Sequence, residues 1–366
     1  MKRLNIGTVF SGIGAPEQAL IKLGYKLNIL FACDNGEIEI KTPVEDIKDK
    51  TKGMSPEKVN EYVKQIYRDT RKTNYVKQSY FANYGIKEKD WYDDIRFLDG
   101  TIYKDKLDVF VGGSPCQSFS IIGKRAGLED VRGTLFYDYA RLIKQTSPKV
   151  FVYENVPGML VHDHGNTWKV IQSVFESLGY NVFYSVLNAK DYGMPQDRKR
   201  LFVVGFKDKD VNFSFPEPVP LKTELKDYLD KEIDARHYLG KKGFEFVTNP
   251  KYKNRARVNA KIIQTEKANQ QFNWNGDFVF EELSSVEQRK NKDEILKRAY
   301  VSQWNGRTGV IRQLTYRECL RLMGFSEDFK IVIPNVPAYR QAGNSIVVNV
   351  LEALFKQIFK AMNIHD

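Results

Sequence analysis

Cysteine is scarce: the 366-residue chain has three, scattered and without a CxxC pair. That argues against a disulfide framework and against a structural zinc site, and no metal is expected. Such usage suits a reducing cytosol, so a cytoplasmic protein is expected. No apolar run reaches the roughly 18 residues of a membrane-spanning helix. Met1-Lys2-Arg3 opens the chain as a secretory signal would, but the stretch behind it contains Asn5, Gly7, Thr8, Ser11, Gly12 and Gly14. It reads instead as a strand over 4–10 running into a glycine turn. Charged residues at 28% and aromatics at 13% are globular values and exclude a wholly disordered chain. Acidic residues are outnumbered, 46 against 57 basic ones, and the net charge of +11 favours a polyanionic partner, DNA or RNA. The length predicts two domains, or one large domain carrying a smaller one, with no extra domain expected before Leu4 or after Asp366.

The first two hundred residues alternate short apolar runs with helical stretches, the pattern of a doubly wound α/β sheet. Strands are predicted over 4–10, 27–32, 107–112, 150–154, 181–187 and 201–206, and helices over 16–23, 134–145 and 167–178. The gap between Leu187 and Leu201 contains Gly193 and Pro195 and is too short for a comfortable crossover helix, so these two strands are expected to be antiparallel. A polar insertion lies between Glu45 and Gln78, with a helix predicted over 55–71, Ser55 as its N-cap and Pro56 at its first position. Residues 41–78 hold ten Lys/Arg against six Asp/Glu, which reads first as a solvated helical face and second as a DNA-backbone contact. Beyond Phe206 the alternation stops at a proline-rich linker, 216–220, and helical periodicity returns over 315–323 and 345–359.

Phe10-Ser11-Gly12-Ile13-Gly14 follows the first strand and opens a helix. Glycines there let the backbone turn sharply and approach a ligand, while the helix N-terminus favours an anion. Asp34 stands at the end of the second strand, where an acid accepts hydrogen bonds from ribose hydroxyls. The missing third glycine disfavours a dinucleotide; S-adenosylmethionine shares the ribose and needs no pyrophosphate turn. Asp94-Ile95 could reach an adenine from a third strand end, although Asp94 alone reads as a turn residue.

The run 107–112 ends in Gly113-Ser114-Pro115-Cys116-Gln117-Ser118-Phe119-Ser120, placing a cysteine at the carboxyl edge of the sheet, where ligands bind in open α/β folds. A thiolate there is a strong nucleophile if a positive environment lowers its pKa. An inert buried cysteine fits these polar, glycine-rich neighbours poorly. Gly123-Lys124-Arg125-Ala126-Gly127 resembles a mobile loop able to close over a phosphate backbone. The strand over 150–154 ends in Glu154, a helix-capping or functional acid within reach of a substrate held by Cys116. In Gln196-Asp197-Arg198-Lys199-Arg200, alternation puts Arg198 and Arg200 on one face, and a solvated basic turn is the bland alternative.

In this order the pieces resemble the DNA (cytosine-5)-methyltransferases, particularly the bacterial and phage restriction–modification type. To those quoted are added Arg132-Gly133-Thr134-Leu135-Phe136, Glu154-Asn155-Val156, residues 312–319 and Gln341-Ala342-Gly343-Asn344-Ser345. The resemblance implies an α/β, S-adenosylmethionine-dependent methyltransferase (Rossmann-like) fold. Its mixed, mostly parallel sheet would lie in 1–206 plus 335–366, with a smaller target-recognition domain at 207–306 and a hinge and return segment at 307–334. It implies a flipped-out cytosine in double-stranded DNA, attacked at C6 by Cys116 and protonated at N3 by Glu154, with Arg198 on O2 and Arg200 in support. It assigns the cofactor to Phe10, Gly12, Ile13, Gly14, Asp34, Asn35, Asp94, Ile95, Gly113, Pro115, Leu135, Asn344 and Ser345. Asn35 departs from the large aromatic that often stacks on adenine at that position, and Ile122 from a polar residue beside the flipped base.

The basic stretch 236–267, nine Lys/Arg against two Asp/Glu, suits a phosphate-binding surface. Expected DNA contacts are Gln117, Ser120, Lys124 and Arg125 after the nucleophile, and Gln264, Thr265 and Lys267 in an amide-rich segment able to read base edges or to serve as a polar surface loop. A cognate restriction endonuclease and a monomeric state are also implied. The rival activities are a tRNA cytosine-5 methyltransferase, whose associated Cys-Phe-Thr tripeptide is missing, and a catalytically silent DNA-binding regulator, which intact Cys116, Glu154, Arg198 and Arg200 argue against.

Overall fold

The structure, a computed structural model, describes residues 3–115, 135–269 and 272–364. Its main sheet is built from β1 (Arg3–Val9), β2 (Lys26–Cys33), β3 (Trp91–Tyr92), β4 (Val109–Gly112), β5 (Val150–Asn155), β6 (Asn181–Asn188) and β8 (Lys199–Phe206), in the order β3-β2-β1-β4-β5-β8-β6. The five strands from β3 to β5 are parallel, while β8 runs antiparallel to both β5 and β6. The short 187–201 connection therefore reverses direction as expected, with Asn188 opposite Lys199.

Alternation along the strands feeds two cores, as a sheet covered on both faces requires. Val109, Val111 and Val152 face one side, with the helices α1 (Ala15–Lys22), α10 (Tyr316–Leu322) and α12 (Val348–Ala361). Phe110, Phe151 and Val203 face the other, under α5 (Leu135–Thr146) and α6 (Asn166–Ser177). The C-terminal helix thus packs against the helix that follows the first glycine turn: Lys22 Nζ pairs with Glu352 at 2.7 Å and Tyr25 packs edge-on to Phe359.

The insertion forms α2 (Val44–Thr51), α3 (Pro56–Asp69) and α4 (Tyr75–Asn83). Ser55 caps α3 as its sequence predicts, accepting from Lys58 N. The helix is not solvated all round, because Val63 and Tyr67 join Ile38 and Ile47 in a small core of their own. Beyond β8, α7 (Lys241–Thr248), β9 (Ala256–Val258), β11 (Gly276–Glu282), α8 (Leu283–Glu287), α9 (Lys292–Arg298), β12 (Ser302–Trp304) and β13 (Arg307–Gln313) surround a second sheet ordered β12-β13-β11-β9. Residues 307–313, expected in the hinge, are a central strand of this sheet. Its neighbour β10 (Ile263–Gln264) leaves it to pair in parallel with β7 (Gln196–Asp197). Helix α11 (Asn335–Asn344), not foreseen, follows α10 and leads into α12.

Candidate active site

The turn after β1 is wound tightly. Phe10 has φ of 52°, and Gly12 and Gly14 have φ of 52° and 76°. A left-handed phenylalanine is strained by roughly 1–2 kcal/mol, while Gly14 is there for packing: a Cβ on it would sit 2.2 Å from the Tyr84 ring. Across the turn, Asp34 Oδ2 accepts from Gly12 N at 2.9 Å and Oδ1 from Gly36 N at 2.8 Å. Burial pushes this carboxyl above its ordinary pKa, and the two backbone donors oppose the shift. Each oxygen keeps a second lone pair for a ligand hydroxyl.

Beside it, the loop after β4 is pressed onto the end of β5. A Cβ on Gly113 would lie 2.5 Å from Glu154 O and 3.1 Å from Glu154 Oε2, so only glycine lets the chain pass here. Asn155 Nδ2 donates to Ser114 O at 2.8 Å, and the Ser114 and Tyr153 hydroxyls lie 2.7 Å apart. Pro115, the residue before Cys116, is thereby held on the rim that Glu154 occupies. Cys116, Gln117, Ser120, Ile122, Lys124 and Arg125 lie outside the described residues. Cys33 and Cys319 are buried, and burial raises both thiols well above the usual range, which leaves them poor nucleophiles.

The two arginines divide. Arg200 Nε lies 3.1 Å from Glu154 Oε1. Burial raises the Glu154 pKa, and Arg200, then Arg198, pull it back. Arg198 is only 4% exposed. Its guanidinium donates to the carbonyls of Glu266, Gly343 and Ser345 at 2.6, 3.0 and 2.7 Å, and burial lowers its pKa to about 9. The two arginines expected to lead and to support are thus held differently: both terminal nitrogens of Arg198 donate to backbone, Arg200 is the cation beside the acid, and both line the cavity.

A cavity of about 580 Å³ joins these parts, lined by Phe10, Gly12, Ile13, Asp34, Asn35, Gly113, Pro115, Glu154, Arg198, Arg200 and Asn344 among others. Ser345 lines a smaller recess that shares Phe10, Gly12, Gly113 and Glu154 with it. Gly14, Asp94, Ile95 and Leu135 are not among its walls. Asp94 is held by Arg96, Nη2 to Oδ2 at 2.6 Å, and by the Tyr67 hydroxyl at 3.1 Å, while Ile95 is core. The sequence missed Glu37, Tyr75, Val76, Val336, Pro337, Arg340 and Gln341, which also line the cavity. Glu37 spans its mouth, accepting from Arg340 and Asn344 at 2.9 Å each. A signal existed for Gln341, which opens the Gln-Ala-Gly-Asn-Ser run; none marked Tyr75.

In the amide-rich segment, Thr265 Oγ1 donates to Asp197 O at 2.7 Å and Glu266 N to Gln196 Oε1 at 3.1 Å. Gln264 is half-buried and Lys267 exposed. Glu266 is buried, and burial pushes its carboxyl up to about 8.

A family model for C-5 cytosine-specific DNA methylase matches residues 51–360. The Type II methyltransferase M.SsoII of Shigella sonnei is 35% identical over 297 residues, covering 79% of this chain and 72% of its own length. M.HhaI of Haemophilus parahaemolyticus is 33% identical over 292 residues, covering 79% and 86%. Among solved structures, the S. pombe Dnmt2 methyltransferase superposes with a TM-score of 0.66 over 99% of this chain and all of that one, at 17% identity, a likeness of fold.

Proposed function

The chain belongs to the C-5 cytosine-specific DNA methylases, and from that membership we propose a role for each residue around the cavity. As a member it methylates cytosine at C5 in DNA, with S-adenosylmethionine as the donor. The cavity suits that cofactor: its volume is in the range of cofactor sites, Asp34 has lone pairs for ribose hydroxyls, and Gln341 Nε2 on the wall is a buried donor without a partner among the described residues. When bound, the sulfonium supplies an electrophilic methyl group. Phe10, Gly12, Ile13, Asp34 and Asn344 hold it, and Gly113 and Pro115 border the methyl end.

The observation that carries the chemistry is Gly113, which brings the chain leading into Cys116 against Glu154. The Cys116 thiolate attacks C6 of the flipped-out cytosine, forming the S–C6 bond while N3 takes a proton from Glu154. The electron pair this places at C5 would take the methyl group that the bound sulfonium supplies, the methyl–sulfur bond breaking as the new carbon–carbon bond forms and the neutral thioether leaving. Removal of the C5 proton by water restores the C5–C6 double bond and expels the Cys116 thiolate, and N3 returns its proton to Glu154. Arg200 orients Glu154 and reaches the base's O2, while Arg198 holds the floor beneath them.

Double-stranded DNA is the substrate proposed, contacted by Gln117, Ser120, Lys124, Arg125, Gln264, Thr265 and Lys267. An endonuclease of the same specificity is the partner proposed, a reading that the Type II relatives favour, and a cytoplasmic, monomeric enzyme completes it. The test is a duplex carrying 5-fluorocytosine, run with the cofactor on a denaturing gel. Wild type gives a shifted protein–DNA band and Cys116→Ser gives none; a band that survives Cys116→Ser refutes the mechanism. Methyl transfer to tRNA but not to duplex DNA would overturn the substrate.

A further inference from the structure

We propose that the helix closing the 45–78 insertion, α4, builds the adenine end of the cofactor site, with Tyr75 offering the ring face and Gln341 on α11 the polar edge. The inference rests on the reading above, in which S-adenosylmethionine lies in the cavity with its ribose at Asp34.

Asn35, directly after the ribose acid, is engaged in its own turn: its Oδ1 accepts from Glu37 N at 3.0 Å and its Nδ2 donates to Ile38 O at 3.2 Å. It has no aromatic face to give a base, and its amide is tied into the turn at both ends. The insertion brings a replacement to the same place. Asn74 Nδ2 donates to Asp34 O at 3.0 Å, and its Oδ1 caps α4 by accepting from Lys77 N at 2.9 Å. Gly36 makes room for that contact, since a Cβ on it would lie 2.3 Å from Asn74 Oδ1. The next two residues, Tyr75 and Val76, are half-buried and line the cavity.

A second, independent observation points to a polar ring on that wall. Gln341 is 9% exposed and lines the cavity. One end of its amide is taken by α4, where Ser79 Oγ donates to Oε1 at 2.8 Å, and Nε2 is buried without a partner among the described residues. A buried amide donor needs an acceptor, and a ring nitrogen of adenine provides one. The ring's face stacks on the Tyr75 phenol, an attraction every purine offers.

The test is calorimetric binding of S-adenosylhomocysteine to the full chain. Tyr75→Leu, which keeps bulk and removes the π-system, should weaken binding about fivefold or more, while Tyr75→Phe stays within about twofold. Gln341→Met, close in length and without the donor, should weaken it by a similar factor. Ser79→Ala, which breaks only the far contact, should leave affinity near wild type. Melting temperatures without ligand should be unchanged in the Tyr75 variants, separating lost binding from lost folding. Wild-type affinity in Tyr75→Leu alongside a large loss in Asp34→Ala would overturn the adenine wall and leave the cavity reading standing. Unchanged affinity in both would overturn the cavity reading and this inference with it. A Tyr75→Phe as weak as Tyr75→Leu would assign the contact to the hydroxyl and overturn the stacking.

Discussion

Arg200 Nε stands 3.1 Å from Glu154 Oε1, with 18% and 16% of the two side chains exposed. This ion pair sits at the boundary between protein and cavity, so it is dry enough to move a pKa and open enough to meet a substrate. Burial holds the Glu154 proton to higher pH than usual, and Arg200 is the first of two cations working against that. An acid that protonates N3 is active below its pKa, so the single-turnover rate should fall as pH rises through it. Arg200→Ala removes the opposing cation, raises the pKa further and should move that alkaline limb to higher pH, while slowing the plateau rate by about a hundredfold. A limb that stays in place would separate Arg200 from Glu154.

Arg198 should behave in the opposite way. It is spread over three backbone carbonyls, two of them in the segment that leads into α12 and one at residue 266. Arg198→Ala leaves those acceptors buried without a donor and should cost roughly 3 kcal/mol or more in denaturant unfolding. Arg200→Ala should cost about 1 kcal/mol or less. Equal losses would refute the division between the two.

Asp34→Ala should weaken S-adenosylhomocysteine binding at least about tenfold, since a hydrogen bond to a charged group is worth roughly 1.5–3 kcal/mol. Calorimetry on the full chain measures it, and unchanged affinity would remove Asp34 from the site.

Glu266 makes stability depend on pH. Its carboxyl is held protonated to about 8 by burial, opposed chiefly by Arg198, whereas the unfolded chain releases that proton near 4.5, its ordinary value. Between those values the unfolded state binds fewer protons, so this group lowers stability by about 1.4 kcal/mol for each pH unit and levels off above the folded pKa. Glu266→Gln should remove that slope and be more stable than wild type at alkaline pH. Denaturant midpoints measured at several pH values check it, and parallel profiles for the two proteins would refute it.

Much of this was legible because it is local. The run Val109–Gly112 is buried throughout, and a continuous apolar run of that kind marks a parallel strand covered on both faces. The antiparallel return of β8 follows from a connection too short for a helix. The arginines show what sequence leaves out. Alternation puts Arg198 and Arg200 on one side, and both do line the cavity. Their different tasks are set by carbonyls from residues 266, 343 and 345, which no local pattern brings together. The cofactor wall at Tyr75 is hidden for a similar reason, since forty residues separate Asn74 from Asp34, the strand end on which it docks. β13 reads as hinge from sequence alone because only three residues of β12 pair with it locally, while its longer pairing, with β11, spans two intervening helices.

The pairing of β10 with β7 limits how specificity can be exchanged between such enzymes. Ile263 and Gln264 run beside Gln196 and Asp197, and a Cβ on Gly343 would sit 2.1 Å from Lys267 O. Residues 263–267 are thus a ribbon laid into the catalytic half, although they lie within the segment that varies in character. If the segment expected to recognise the target, 207–306, were moved as one uncut piece, that ribbon would go with it and Arg198 would depend on the donor's backbone to place the carbonyl that Glu266 supplies here. A workable graft has two pieces, one on each side of a ribbon that stays with its host.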